Sequence, residues 1–483
     1  MTLYTLLKKA EIAFEPECED YEITDLQISP ELCTSSSLLV IPNSEKLPQI
    51  PIEAKYAVLC GRNTKIKSSG VTVRVDNPRE STAALYSAFS DICYDKMKIV
   101  GITGTNGKTS TATFIKEAAE ATGTRVGFIG TGAIYIGGDR ISDDFYSMTT
   151  PDPWILYPAL KKMETYGVDL VIMEVSSHAL ELDKVAPITF DIAVFTNLTM
   201  EHLDFHGDME SYYGAKKRLF TKCRSAVINI DDYYGRRLVK ETSGSKITCG
   251  ILWRGDAYVS SIENRGFDGV SYLYHGRGFT FIARLKAAGI YNIYNSMLAI
   301  TVCSQLGMRP CEVKRALSES RGARGRYEII KDKITVIIDY AHTDFALENI
   351  LKCLVSSKKP TQRVSLIFGC GGNRDKAKRT RMASVAEKYA DKIVVTSDNS
   401  RAEPTKSIIA DIIKGFSRSD YTVTEDREAA IKETILAAEN GDIVAIIGKG
   451  DERYTIDADG YHYFDERKII RDALSMRRGE NEN

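Results

Sequence analysis

A lysine, two hydroxyl residues and a glycine turn stand together at Gly104-Thr105-Asn106-Gly107-Lys108-Thr109-Ser110. This order of residue types suits phosphate. Backbone N–H groups line the turn, Lys108 supplies positive charge, and the Thr109 hydroxyl can ligate Mg²⁺. The strict pattern G-x-x-x-x-G-K-[ST] wants glycine at 102, where the chain has Ile102, so this is a variant phosphate loop. Two further groups suit the same chemistry. Glu174, in Glu174-Val175-Ser176-Ser177-His178, and His202, in Glu201-His202-Leu203-Asp204, are candidate Mg²⁺ ligands. Mg²⁺ takes few protein ligands and completes its shell with phosphate oxygens and water. Three of the six histidines fall between 178 and 206; His178 and His206 have no assigned role.

The elements that must position these groups are strands with polar ends. Lys98–Thr103 is an apolar run that reads as a buried strand feeding the glycine turn, and Ala112–Ala121 reads as the helix that follows. Asp169–Glu174, Asp191–Thr196 and Ala226–Ile230 are further strand candidates, with helical stretches such as Trp154–Tyr166 between them. Such alternation predicts an α/β region with a mostly parallel sheet, whose ligands bind outside the carboxyl ends of the strands. Tyr213–Phe220 is a basic helical stretch that reads as a solvated face, and Asn292 and Asn295 read as caps where a loop enters a helix.

A second set of strands repeats the logic: Ile334–Tyr340, Arg363–Cys370, Lys392–Ser397 and Asp442–Gly448. They end in Asp339-Tyr340-Ala341-His342, Gly371-Gly372-Asn373-Arg374-Asp375, Asp398-Asn399-Ser400-Arg401-Ala402-Glu403 and Gly448-Lys449-Gly450-Asp451-Glu452. Arginines and carboxylates mixed along one edge suit a zwitterion, with arginine gripping its carboxylate by bidentate pairing. Ahead of both sets, residues 1–95 read as a small α/β domain with strands Ser37–Ile41, Tyr56–Cys60 and Val71–Val75, and a helix Ser81–Ser90. The expected division is 1–95, 96–322 and 323–483, about three domains for 483 residues.

Composition excludes several classes. Lys+Arg 64 against Asp+Glu 65 leaves a net charge of −1, which argues against nucleic acid or an anionic membrane as partner. Ten cysteines without paired spacing fit reduced thiols in a cytoplasmic protein. The N-terminal stretch is charged too early for a signal peptide, and no apolar run approaches the roughly 18–20 residues of a membrane span. A monomer acting on small molecules is the expectation.

Taken together, GTNGKT, EVSSHAL, TNLTMEHLDFHGD, DYAHT, GCGGNRDKAKR and DNSRAEP resemble the Mur ligase family, MurE type, from Lys98 to the end of the chain. The resemblance implies a three-domain architecture: a small N-terminal domain, a central parallel-sheet ATPase domain and a C-terminal Rossmann-like domain. It implies an ATP- and Mg²⁺-dependent ligase that adds an amino acid to UDP-N-acetylmuramoyl-L-alanyl-D-glutamate through an acyl phosphate, in peptidoglycan precursor synthesis. By matching motifs, Lys108, Glu174, His202 and Lys216 carry the catalysis. Thr109, Glu174, His202 and a carbamylated Lys216 hold metal. Residues 104–110 with Asn295, Arg326 and Asp339 hold the nucleotide. Thr149, Thr150, Ser177 and Lys184 face the acceptor, and Arg374, Asp398, Asn399, Arg401, Gly448 and Glu452 hold the amino acid. Arg401 stands where family members that add meso-diaminopimelate carry arginine.

The chain departs from the family pattern at several points. Ile28–Pro48 lacks the uridine-binding signature, and Lys184 replaces an arginine. Asp344 replaces the proline of HTP, Glu201 the aspartate of DHLD, Asp451 the histidine of GKGHE, and Ala323-Arg324 the start of VPGR. Two ligase readings follow: the cell-wall step itself, or a paralogous ligase with another carboxylate acceptor or amino acid. A third reading, a scaffold that binds ATP without turnover, conflicts with the intact Lys108, Glu174, His202 and Lys216.

Overall fold

The computed structural model describes residues 1–14, 21–43, 55–66, 70–142 and 148–479. Part of the Ile28–Pro48 stretch lies outside them. Three main sheets follow one another along the chain, each built around strands whose side chains are apolar on both faces. The first has four parallel strands in sequence order, Asp25–Gln27, Ser37–Val40, Ala57–Gly61 and Thr72–Val75. The helix Pro78–Ser90 begins earlier than the expected Ser81, because Asn77 caps it by accepting from the Glu80 N–H and Pro78 suits the first turn.

The central sheet has eleven strands. Its parallel core runs, in spatial order, Val126–Gly130, Leu170–Glu174, Lys98–Thr103, Phe190–Phe195, Cys223–Asn229, Ser245–Gly250 and Ala257–Asn264. Antiparallel strands extend both edges: Ala133–Ile136 and Asp139–Ser142 at one end, Val270–Gly276 and Phe279–Leu285 at the other. Lys98–Thr103 lies in the middle, with Ile99, Val100 and Ile102 buried, because a strand covered on both faces needs a continuous apolar run. Its helix spans Lys108–Ala121 and buries Phe114, Ile115, Ala118 and Ala119 against the helix Ile290–Gln305.

The last sheet has six strands in the order Glu328–Lys331, Thr335–Asp339, Ile443–Ile447, Val364–Phe368, Lys392–Val395 and Tyr421–Val423. All neighbours are parallel except the first pair. The four predicted strands lie at its centre, and their carboxyl ends share one edge.

Candidate active site

The phosphate loop is shaped by backbone that only glycine accommodates. Gly104 has φ +149°, and a Cβ there would lie 1.9 Å from Thr196 Oγ1. Gly107 has φ +87°, and its Cβ would lie 2.3 Å from Asn295 Oδ1. The Lys108 ammonium curls over the turn and donates to the Gly104 and Thr105 carbonyls, each at 2.9 Å. The Asn106 N–H donates to Asn197 Oδ1 at 3.0 Å, while Asn106 Nδ2 is buried and unpartnered among the described residues. Ser110 is buried in the first helical turn.

Glu174, the last residue of the strand Leu170–Glu174, is fully buried. Thr109 Oγ1 donates to its Oε2 at 3.0 Å, and the Thr131 N–H donates to Oε1 at 3.4 Å. Burial pushes the carboxyl pKa up, opposed by the charges of Lys108 and Arg326 and by the Thr109 bond. Lys216 donates to Gly104 O at 3.0 Å and lies 4.7 Å from the Tyr212 ring. The stretch read as a solvated basic face therefore turns one lysine inward: Lys216 is 2% exposed, and burial drives its pKa well down.

The three central histidines come together. The His178 ring lies 5.0 Å from His202 and 5.6 Å from His206. His202 sits at φ +56°, which turns its side chain out of the chain path just before a short helix. Burial holds its pKa down to about 3, so the imidazole is neutral near pH 7 and able to act as a ligand. His206 Nε2 and Ser177 Oγ are 2.9 Å apart. Thr150 Oγ1 donates to Glu174 O at 2.9 Å, and Thr149 Oγ1 accepts from Thr131 Oγ1 at 3.4 Å. Lys184 is paired with Asp152 at 2.7 Å.

Asn295 does not cap its helix. The cap is Gly289, and Asn295 lies in the second turn with Oδ1 turned to the back of the phosphate loop. Asn292 lies in the first turn, donating to Ala288 O at 2.8 Å. Both expectations of capping fail because the helix begins at Ile290, before either asparagine.

Across the cleft, Arg326 stacks on Tyr340, 4.1 Å from its ring centre. Asp339 is buried and accepts from the Tyr327 and Ala341 N–H groups, each at 2.6 Å. Asn399 is held on both sides of its amide. Oδ1 accepts from Lys449 Nζ at 2.7 Å and the Ile456 N–H at 3.0 Å, which leaves Nδ2 to donate to Glu452 Oε2 at 2.8 Å. Burial raises the Glu452 pKa, as does the charge of Asp398; for Asp398 itself, the Lys449 and Arg427 charges outweigh burial and hold it low. Gly448 has φ +127°, with Asp398 Oδ2 2.5 Å from where a Cβ would stand. Arg401 donates to the Gly372 and Asn399 carbonyls, and Arg374 is exposed beside it.

Sequence reasoning left three contacts unseen. Lys449 is fully buried behind Asn399, Tyr212 carries the Lys216 and His206 contacts, and Glu201 Oε1 meets His342 Nε2 at 2.8 Å. The departures from the family pattern also have physical sense. Asp344 is the first residue of the helix Asp344–Ser357, where proline and an acid both suit the terminus. Arg324 and Asp451, substituted in separate motifs, lie 3.5 Å apart.

Known proteins resemble this chain along most of its length. The Mur ligase middle domain matches residues 102–303, and the Mur ligase glutamate ligase domain matches residues 325–450. A UDP-N-acetylmuramoyl-L-alanyl-D-glutamate–2,6-diaminopimelate ligase of Clostridium acetobutylicum is 37% identical over 422 residues, covering 86% of each chain. The ligase of the same name from Alkaliphilus oremlandii is 36% identical over 495 residues, covering 99% of each. A solved structure of a ligase bearing that name superposes with TM-score 0.68 at 26% identity, over 99% of this chain and 100% of its own. The chain belongs to the Mur ligase family, whose members are ATP-dependent, ADP-forming ligases. Among the described residues no helix is long and apolar enough to cross a membrane.

Proposed function

We propose that the chain joins meso-diaminopimelate to UDP-N-acetylmuramoyl-L-alanyl-D-glutamate, using ATP and Mg²⁺, as a cytoplasmic monomer divided into domains 1–95, 96–322 and 323–483. The carrying observation is the buried Glu174 carboxylate, hydrogen-bonded by Thr109 at the mouth of the phosphate loop, with Lys108 and Lys216 both directed to Gly104 O. The names and coverage of the relatives supply the substrates.

The residues fit the nucleotide and the metal. The buried Asn106 Nδ2 at the turn has no partner among the described residues, and no Cβ at Gly104 or Gly107 fills the cradle. Thr109 Oγ1 and the Glu174 carboxylate are oxygen donors beside the phosphate loop, a setting that suits Mg²⁺, which borrows phosphate oxygens. Thr109, Glu174, His202 and a carbamylated Lys216 would hold it. Burial favours the neutral amine of Lys216, the form that adds CO₂.

ATP supplies a phosphoryl group that turns the acceptor carboxylate into an acyl phosphate, and Mg²⁺ supplies charge neutralisation. The chain's own residues do the rest. Lys108 offsets charge on the phosphates; Thr149, Thr150, Ser177 and Lys184 orient the acceptor; Asn295, Arg326 and Asp339 hold the nucleotide. Arg374, Arg401 and Asn399 grip the amino acid, with Asp398, Glu452 and the Gly448 backbone around its ammonium. The Glu201–His342 contact draws the two sheets over the acyl phosphate and limits its loss to water.

A second reading, the same chemistry on another acceptor, draws on the missing signature in the first region and on Lys184 being engaged by Asp152. Phosphate release and product mass, measured with UDP-N-acetylmuramoyl-dipeptide and one amino acid at a time, decide between them. Turnover with meso-diaminopimelate but not lysine or ornithine supports the first reading. No turnover with any of them, from a chain that binds ATP, overturns it.

A further inference from the structure

Two loops at the edge of the C-terminal sheet are stitched together beside Arg374 and Arg401. One is Gly371–Arg374, the other Asn399–Glu403. The Gly372 N–H donates to Asn399 O at 2.9 Å, and the Ala402 N–H donates to Asn373 Oδ1 at 3.1 Å. The approach is so close that a Cβ on Gly372 would lie 1.9 Å from Ser400 O. Asn373 and Arg401 both stand at φ +53°, so each loop turns sharply at the residue that meets the other.

Beneath the stitch lies an ion pair that the ligation chemistry does not use. Arg379, on the helix Ala377–Tyr389, is fully buried. Its Nη1 and Nη2 donate to Glu403 Oε1 and Oε2, both at 2.7 Å, in the fork geometry only arginine offers. Nη2 also reaches Gly371 O at 3.4 Å, and Glu403 Oε2 accepts the Asn373 N–H at 3.2 Å. The pair thus touches both loops: Glu403 ends one, and Gly371 and Asn373 belong to the other. A second carboxylate, Asp411 on the helix Thr405–Ile413, meets Arg379 Nη1 at 3.0 Å and belongs to neither loop.

We propose that Arg379 and Glu403 are positioning residues that fix the separation of Arg374 and Arg401, and so set how well the pocket holds an amino acid with a second carboxylate. This rests on the amino-acid ligation proposed above. A guanidinium that must meet a distant carboxylate in a bidentate fashion tolerates little displacement of its backbone. Neither positioning residue touches substrate; each acts through Arg374 and Arg401.

The test compares Glu403→Gln and Arg379→Lys with Asp411→Asn as control. Glu403→Gln keeps the shape and removes the charge; Arg379→Lys keeps the charge and removes the fork. The expected result is a tenfold or greater rise in KM for meso-diaminopimelate in both, with KM for ATP within twofold of the wild type and no comparable rise in Asp411→Asn. Amide hydrogen exchange, which needs no substrate, is expected to speed up at Gly372, Asn373 and Ala402 in Glu403→Gln. Should that variant fail to fold, Asn373→Gly, which keeps φ +53° and removes the Ala402 contact, is expected to show the same KM rise. A KM for diaminopimelate within twofold of wild type overturns the proposal, as does an equal rise in Asp411→Asn. A wild-type chain that does not use diaminopimelate overturns the proposed function instead. Exchange at the three amides then decides the stitch by itself, and unchanged rates overturn it.

Discussion

Glu201 and His342 lie 141 positions apart and meet at 2.8 Å, joining the central sheet to the C-terminal one. Burial pushes the Glu201 pKa up, and the hydrogen bond and charge of His342 outweigh it, so the carboxylate stays ionised. His342 Nδ1 is 3.1 Å from Tyr340 O, which orients the ring toward the seam. Replacing His342 by Ala leaves a carboxylate that is 11% exposed with one partner fewer. The expected loss is about 1–3 kcal/mol of seam stability. We expect kcat/KM for ATP and for the amino acid to fall together by at least tenfold, read from steady-state phosphate release. A fall in one alone would mean that the contact does not govern closure.

Lys216→Arg places a permanent positive charge where burial favours a neutral amine, and it cannot form a carbamate. We expect turnover to fall at least a hundredfold, with ATP still bound. Intact-mass analysis of the wild type under bicarbonate is expected to show the added carbamate mass. Turnover preserved in Lys216→Arg would remove the carbamate from the mechanism.

Lys108→Ala separates a ligase from a scaffold. Among the described residues the ammonium donates hydrogen bonds to loop carbonyls alone, so its loss leaves the fold in place while removing the charge that meets phosphate. Turnover is expected to vanish, with a melting temperature close to that of the wild type.

Gly104→Ala tests the loop's backbone. At φ +149° a side chain is strained, and the new Cβ meets Thr196 Oγ1, which is itself bonded to Asn106 O at 2.6 Å. A destabilisation of about 1–3 kcal/mol is expected from strain of this kind, seen as a lower melting temperature, together with weaker ATP binding.

The Arg379–Glu403 pair gives stability a pH signature. The Arg379 hydrogen bond holds the Glu403 pKa down to about 2, against 4.5 for a free glutamate. A carboxyl whose folded pKa is depressed stabilises the fold above its unfolded pKa and loses that contribution as pH falls through the folded value. The melting-temperature difference between wild type and Glu403→Gln is therefore expected to be full above about pH 4.5 and to shrink toward pH 2. A constant difference would place the effect in packing.

What could be read from the residues alone was local. Lys98–Thr103, Leu170–Glu174 and Ile443–Ile447 are legible because a parallel strand buried on both faces is a short apolar run, and the glycines, lysine and hydroxyls after the first mark a phosphate loop. Contacts between strand ends were not legible. Glu201 and His342 each stood in a noticed motif, yet only the packing of one sheet on the other brings them together. Lys449 read as one residue of a glycine-bounded motif; its burial behind Asn399 follows from two loops folding over it. The edge strands Ala133–Ser142 and Val270–Leu285 escaped because hairpins take their places from the sheet they extend, more than from their own pattern.

The sequence by itself determined the α/β class, the phosphate loop and the ligase family, because strand burial and glycine turns act over a few neighbouring residues. Only the tertiary structure decided that Lys216 points inward, that Asn295 backs the loop and that Arg379 grips Glu403. Those outcomes depend on which charges the fold removes from water together, and desolvation is a property of the packed whole.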